Sequence, residues 1–129
     1  MLKINGTRPM IVAVIGSRGF TDYSLVRSKL EELASRINFT IVSGGAKGPD
    51  SFAEKYAKEQ GIKIQVFKPD WSLGKGAGFI RNTDIVKAAD LIIAFWDEKS
   101  RGTLDSLRKS KELGKVAFVV NPNNDYYQY

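Results

Sequence analysis

The sequence predicts an α/β fold: a Rossmann-like three-layer α/β/α domain around a five-stranded, mainly parallel sheet. Five short apolar runs rich in β-branched residues alternate with four longer amphipathic stretches, the pattern of βαβ crossovers. The runs are continuously apolar instead of alternating, as strands covered on both faces require. Glycine-rich, charged loops follow the runs, where strand-to-helix turns must lie.

MIVAVIG (Met10 to Gly16) is the first buried strand. Thr21 or Asp22 can cap the next helix, in which Val26, Leu30, Leu33 and Ile37 recur at helical spacing on one face. FTIVS (Phe39 to Ser43) is the second strand. Pro49 suits the first turn of the second helix, Phe52, Ala53, Tyr56 and Ala57 form its inner face, and Gly61 ends it. IKIQVF (Ile62 to Phe67) is the third strand, closed by Pro69. A loop with Gly74, Gly76 and Gly78 leads to a helix near Phe79 to Ala89. LIIAFW (Leu91 to Trp96) is the fourth strand. The fourth helix starts near Gly102 or Thr103, carries Leu104, Leu107 and Leu113, and stops at Gly114. VAFVV (Val116 to Val120) is the fifth strand. The chain is expected to be a single domain over 1–129, with its core at about 10–120 and a loosely docked polar, aromatic tail at 121–129.

The chain of 129 residues has no cysteine and no histidine. Disulfides, thiolate nucleophiles, zinc ribbons, His metal sites and Ser-His-Asp triads are therefore excluded. Any chemistry must come from carboxylates, Lys, Arg, hydroxyls, backbone amides or a bound ligand, and no metal or cofactor is expected. The formal net charge of +6 is spread along the chain, without a basic tail, which favours an anionic partner without choosing between nucleotide and nucleic acid. The apolar run Met10 to Ile15 is far short of a membrane span, so no membrane partner is expected. The first residues do not read as a signal peptide, and a cytoplasmic location is the expectation.

In an open parallel sheet, ligands bind beyond the carboxyl ends of the strands, where the strand order reverses. The loop after the first strand offers Gly16, Ser17 and Arg18, with Phe20 as a stacking aromatic. The loop after the second, SGGAKGPD, spans Ser43, Gly44, Gly45, Ala46, Lys47 and Gly48 and leads to Asp50. Its glycines let backbone amides approach an anion at a helix N-terminus, so a bulky residue at Gly45 is expected to block the ligand with little effect on the fold. The spacing is neither a Walker A loop nor GxGxxG, and a tight strand–helix turn would also want these glycines. Asp50 reads either as a helix-dipole charge or as an acceptor for a ribose hydroxyl. The third loop contributes Asp70 and Trp71, and Arg81 and Asn82 face the same edge. The fourth adds Trp96, then Ser100, Arg101, Gly102 and Thr103 at a second helix start.

Together, GSRGFTDYSLV, IVSGGAKGPDSFAEKYA, IRNTDIVKAADLIIAFWDEKSRGTLDSL and KVAFVV resemble the YspA-related branch of the SLOG superfamily, over about Met10 to Val120. That superfamily also holds LOG-type phosphoribohydrolases, the DNA-processing protein DprA and sensor domains. The resemblance implies a Rossmann-like fold and a nucleotide or nucleotide-derived, ADP-ribose-like ligand on this rim. LOG-type enzymes carry PGGxGTxxE, whose glutamate works with an arginine of the preceding helix. Gly102 and Thr103 match that motif and Arg81 can match the arginine, but Ser106 stands at the glutamate. Asp105 lies one residue away, about 100° around a helix. Arg81 and Asp105 are thus the catalytic candidates of a LOG-like reading, with Asp22, Asp50, Asp70 and Asp97 as substitute carboxylates. A binding module or sensor is the preferred reading, ahead of an N-glycosidase or phosphoribohydrolase and of a DprA-like DNA-binding protein. Homo-oligomerisation is compatible with all three.

Overall fold

The computed structural model describes residues 8–129. Six strands, β1 (Met10–Gly16), β2 (Phe39–Ser43), β3 (Ile64–Val66), β4 (Leu91–Phe95), β5 (Val116–Val120) and β6 (Tyr126–Gln128), form one sheet of order β3-β2-β1-β4-β5-β6. The first five are parallel and β6 runs antiparallel to β5. The helices are α1 (Tyr23–Ala34), α2 (Pro49–Gln60), α3 (Ala77–Ala88) and α4 (Arg101–Glu112), with a short 3-10 turn at Trp71–Leu73.

The continuous apolar runs are double-sided because alternate residues serve two cores. Val12, Val14, Ile41, Ile93 and Phe95 meet Val26 and Leu30 of α1 and Ala53, Tyr56 and Ala57 of α2. Ala13, Ile15, Val42, Ile92 and Ala94 meet Ile85 and Val86 of α3 and Leu107 of α4. Complete burial of a side chain such as Leu30 contributes roughly 1.5–3 kcal/mol. Asp22 caps α1 by accepting the Leu25 N–H at 3.1 Å, and Pro49 occupies the first turn of α2.

Two expectations need correction. The sheet has six strands, because the tail is ordered into β6 instead of docking loosely. Asn121 is buried, and its side-chain oxygen accepts the N–H groups of Asn123 (3.0 Å) and Asp125 (2.9 Å), which folds the turn that returns the chain to β5. The inner face of α4 is also not a leucine stripe. It consists of Thr103, Ser106, Leu107 and Ser110, whereas Leu113 is 44% exposed. Small side chains let α4 lie close to the sheet, and the Ser110 hydroxyl is satisfied within the helix by the Ser106 carbonyl at 2.8 Å.

The chain leaves β1 towards β2 on one side and reaches β4 on the other, so the strand order reverses between β1 and β4. Their ends are level, with Gly16 paired to Phe95. The loops after these two strands therefore diverge from one point on the rim.

Candidate functional site

A cavity of about 430 Å3 opens at that reversal. The loop after β1 contributes Gly16, Ser17, Arg18 and Gly19. The loop after β2 and the start of α2 supply Ala46 and Asp50, and α3 supplies Arg81 and Asn82. The loop after β4 and the first turns of α4 supply Asp97, Ser100, Gly102, Thr103 and Ser106.

Asp97 ties the first and last of these loops together. Its carboxylate accepts hydrogen bonds from the Ser17 hydroxyl (3.0 Å) and the N–H groups of Lys99 (2.9 Å) and Ser100 (2.8 Å), and its own N–H donates to Ser17 Oγ. Burial works to raise its pKa, but these donors prevail and hold it below the usual carboxylate range. The N-cap of α4 is Ser100, whose side chain makes no capping bond to the helix. The leading N–H groups of α4 thus meet the cavity without a side-chain acceptor and with the positive end of the helix dipole.

The glycine-rich loop after β2 does something the sequence did not reveal. Its amides close on the protein's own carboxylate: Asp50 Oδ2 accepts the Gly44 N–H at 2.8 Å and approaches the Ala46 N–H at 3.5 Å. Burial pushes Asp50 up to about 6, against the pull of those two amides and of Arg81. Gly48 has φ of 84°, and a Cβ there would sit 2.8 Å from the Ser17 carbonyl, so glycine is what lets this loop pack against the loop after β1.

Arg81 is half-buried. Its Nη1 donates to the Gly44 carbonyl at 2.7 Å and its Nε to Asn82 Oδ1 at 3.0 Å. Burial, and then the positive charge of Arg18, lower its pKa, while Asp50 opposes this. Arg18 is exposed and has no carboxylate partner among the described residues. Two guanidinium groups therefore bear on one cavity, and neither forms an ion pair among the described residues.

Of the residues singled out from sequence, Gly16, Ser17, Arg18, Ala46, Asp50, Arg81, Asn82, Ser100, Gly102 and Thr103 come together here. Others do not line the cavity. Phe20 is buried in the core, edge-on to Phe95 at 5.6 Å between ring centroids, which leaves no face for a ligand base. Ser43 is buried at the end of β2, its hydroxyl without a hydrogen-bond partner. Gly44, Gly45, Lys47 and Gly48 are not among the lining residues: the Gly44 N–H is taken by Asp50, and Gly45 and Lys47 are exposed. Asp70 caps the 3-10 turn through Ser72, and Trp71 stands outside, 67% exposed. Trp96 packs on the core and donates its indole N–H to the Ser100 carbonyl at 3.1 Å, and Arg101 is exposed. Asp105 is drawn away to Lys109 at 2.8 Å and accepts from Asn82 Nδ2 at 3.3 Å. Sequence reasoning missed Ile15, Gly19 and Ile85 as lining residues, weighed Asp97 only as a substitute carboxylate, and placed Ser106 at the glutamate position as a residue able to hydrogen-bond a ribose. The neighbours of Asp97 at Lys99 and Ser100, suited to an Asx-type turn, were the available signal. No group of three or more acidic side chains that could hold a metal ion occurs among the described residues, and no described helix is long and apolar enough to cross a membrane.

Comparison with known proteins bears out the resemblance. Residues 10–74 match the model of the YAcAr family, described as the YspA, cpYpsA-related SLOG family. The Gene 61 protein of Mycobacterium phage D29 is 32% identical over 112 residues, covering 80% of this chain and 90% of that protein. Among solved structures, DNA processing protein A from Helicobacter pylori, described for its single-stranded DNA binding mode, matches with a TM-score of 0.69 and 27% identity. That match covers 86% of this chain and 65% of the other. DprA from Streptococcus pneumoniae has the same fold, with a TM-score of 0.74 and 22% identity over 85% of this chain and 50% of that one. The chain thus spans only about half to two-thirds of these longer proteins. With a family model over half its length and a phage relative along most of it, the chain belongs to the YspA, cpYpsA-related SLOG family.

Proposed function

We propose that the cavity binds a nucleotide or nucleotide-derived molecule by its phosphate, and that the protein acts as a binding module or sensor. The observation that carries this reading is the meeting of two guanidiniums, Arg18 without a carboxylate partner and Arg81, with an α4 N-terminus that has no side-chain cap. An anion complements all three. The volume of about 430 Å3 falls in the range of small-molecule pockets, roughly 300–1,000 Å3. The hydroxyls of Ser17, Ser100 and Thr103 and the Asn82 amide suit ribose and base edges. A cytoplasmic setting goes with such ligands.

The test is calorimetric titration with inorganic phosphate, AMP, ADP-ribose and NAD, with chromatography of each mixture after incubation. Micromolar or tighter binding of one member without turnover is expected. Release of a free base would make the protein a hydrolase, and no binding of any member would overturn the phosphate-site reading.

A second reading has its own support. The chain is 27% identical to a protein described as binding single-stranded DNA, and its net charge is +6. In that case the cavity would take one nucleotide unit of a longer strand. The salt dependence of oligonucleotide affinity separates the two, since several released counterions give a steep slope and a single phosphate a shallow one.

A further inference from the structure

Four large apolar side chains stand in water within one stretch of ten residues: Trp71 (67% exposed), Leu73, Phe79 and Ile80. The 3-10 turn Trp71–Leu73 packs against α3, whose first turns carry Phe79 and Ile80, so the four are exposed on two adjoining elements, and the next residue of α3, Arg81, lines the cavity. An exposed tryptophan flanked by further exposed apolar groups is unusual on a monomer surface and marks something that covers it.

The charges around the patch identify the kind of partner. Lys68 and Lys75 flank Trp71 in the chain. Lys68 lies along the glycine loop, where its Cγ is 3.8 Å from the Cβ position of Gly45. Lys109 donates to the Phe79 carbonyl at 2.7 Å, and its ammonium stands 5.7 Å from the Phe79 ring centroid, with its charge already met by Asp105 at 2.8 Å. The acid within the turn, Asp70, directs its carboxylate to the backbone N–H and hydroxyl of Ser72. Aromatic faces bordered by ammonium groups complement a chain that alternates π-faces with phosphates. Lys68 and Lys75 have no carboxylate partner among the described residues, and an apolar protein surface would leave them so.

We propose that the Trp71–Phe79 face is a stacking platform for a single-stranded nucleic acid, over which bases pass beside the Arg18–Arg81 cavity. This deepens the second reading above. Trp96, tied to the Ser100 carbonyl and packed on the core, is not part of the platform.

Trp71 makes the platform directly observable. The full chain is titrated with oligothymidine of about a dozen nucleotides at low salt, read by tryptophan fluorescence and by anisotropy of labelled DNA. Quenching on binding is expected. Trp71→Ala should abolish most of the quenching and weaken binding by about tenfold, the scale of one stacked base. Trp71→Phe should keep most of the affinity, and Trp71→Leu, apolar but without a π-face, should behave like Trp71→Ala. Trp71 is exposed, so all three variants should show the circular dichroism and melting temperature of the unaltered protein. Full affinity in Trp71→Ala or Trp71→Leu overturns the platform and leaves single-strand binding standing. Failure of the unaltered protein to bind the oligonucleotide overturns both. A dimer that dissociates in Trp71→Ala with oligonucleotide affinity unchanged would assign the face to a second copy of the chain and overturn the proposal.

Discussion

Asp50 should make the protein less stable as pH rises through the weakly acidic range. It is 5% exposed, and its folded-state pKa of about 6 stands above its ordinary 3.8. Folding therefore favours the neutral acid. Well below pH 4 the group is protonated in both states and has no pH-linked effect. Between about 4 and 6 the unfolded chain releases the proton while the folded chain holds it, so stability falls. Above about 6 the loss is complete and constant. At about 1.4 kcal/mol per pH unit, the interval from 3.8 to about 6 corresponds to about 3 kcal/mol. Asp50→Asn removes the ionisation and keeps an oxygen to accept the Gly44 N–H. Carboxylates with lowered pKa, such as Asp97, act in the opposite direction, but they are common to both proteins and cancel in the difference. Urea unfolding of each protein at pH 4, 5, 6, 7 and 8 gives that difference. Relative to the unaltered protein, Asp50→Asn should gain roughly 2 kcal/mol between pH 4 and pH 7, mostly between 4 and 6, because part of the full effect already lies below pH 4. A difference that stays constant over this window, or one that moves in favour of Asp50 as pH rises, would refute the reasoning. It would mean that the Gly44 amide and Arg81 outweigh burial.

Arg18→Ala and Arg81→Ala should each weaken nucleotide binding by about tenfold to a hundredfold in calorimetry, the worth of one charge-assisted contact. They should differ in melting temperature: Arg18→Ala leaves it unchanged, whereas Arg81→Ala lowers it because the Gly44 carbonyl loses its donor at 2.7 Å. Gly45→Val should unfold at lower urea by roughly 1–3 kcal/mol, because φ there is 72° and the new Cβ would lie 2.8 Å from Val66 Cγ1. Since Gly45 does not line the cavity, the affinity of the folded variant for nucleotide should change little, the reverse of what the sequence suggests. Ser106→Glu places a carboxylate on the cavity wall, and chromatography of AMP incubated with this variant should reveal base release only if the other groups already hold a cleavable geometry.

The parts of the fold legible in the sequence are those fixed by local pattern. The runs at β1, β2, β4 and β5 are unbroken because each residue meets one of two cores, and a continuous run can be read directly. The rim followed from topology, because loops after neighbouring parallel strands must emerge on one side. What was not legible depends on long-range contacts. Nothing local in Tyr126–Gln128 distinguishes an edge strand from a loose tail, since the strand exists through its pairing with β5 and the turn held by Asn121. The inner face of α4 misleads a periodicity reading because Ser106 and Ser110 are small and satisfied inside the helix. The glycine loop reads in the sequence as a place where backbone amides approach a ligand anion. That the Gly44 amide is met by a carboxylate two residues into the next helix depends on how loop and helix fold together, which spacing alone does not show.

That substitution bears on what the cavity does. Cleavage of a glycosidic bond needs an acid or base free to move a proton at the reacting atoms. Asp105 is paired with Lys109 and lies off the cavity wall. Asp97 lines the wall, but three donors hold it ionised, which makes it a structural brace and a poor proton source. Asp50 titrates near neutrality, yet its Oδ2 is turned into the loop amides and it is nearly inaccessible. The two guanidiniums and the α4 N-terminus need no such group to hold a phosphate. Under the proposed reading, Arg18 and the uncapped α4 N-terminus could hold an anion without giving up a side-chain partner, whereas each carboxylate would first have to break the bonds that hold it. This asymmetry favours a protein that binds its ligand over one that cleaves it.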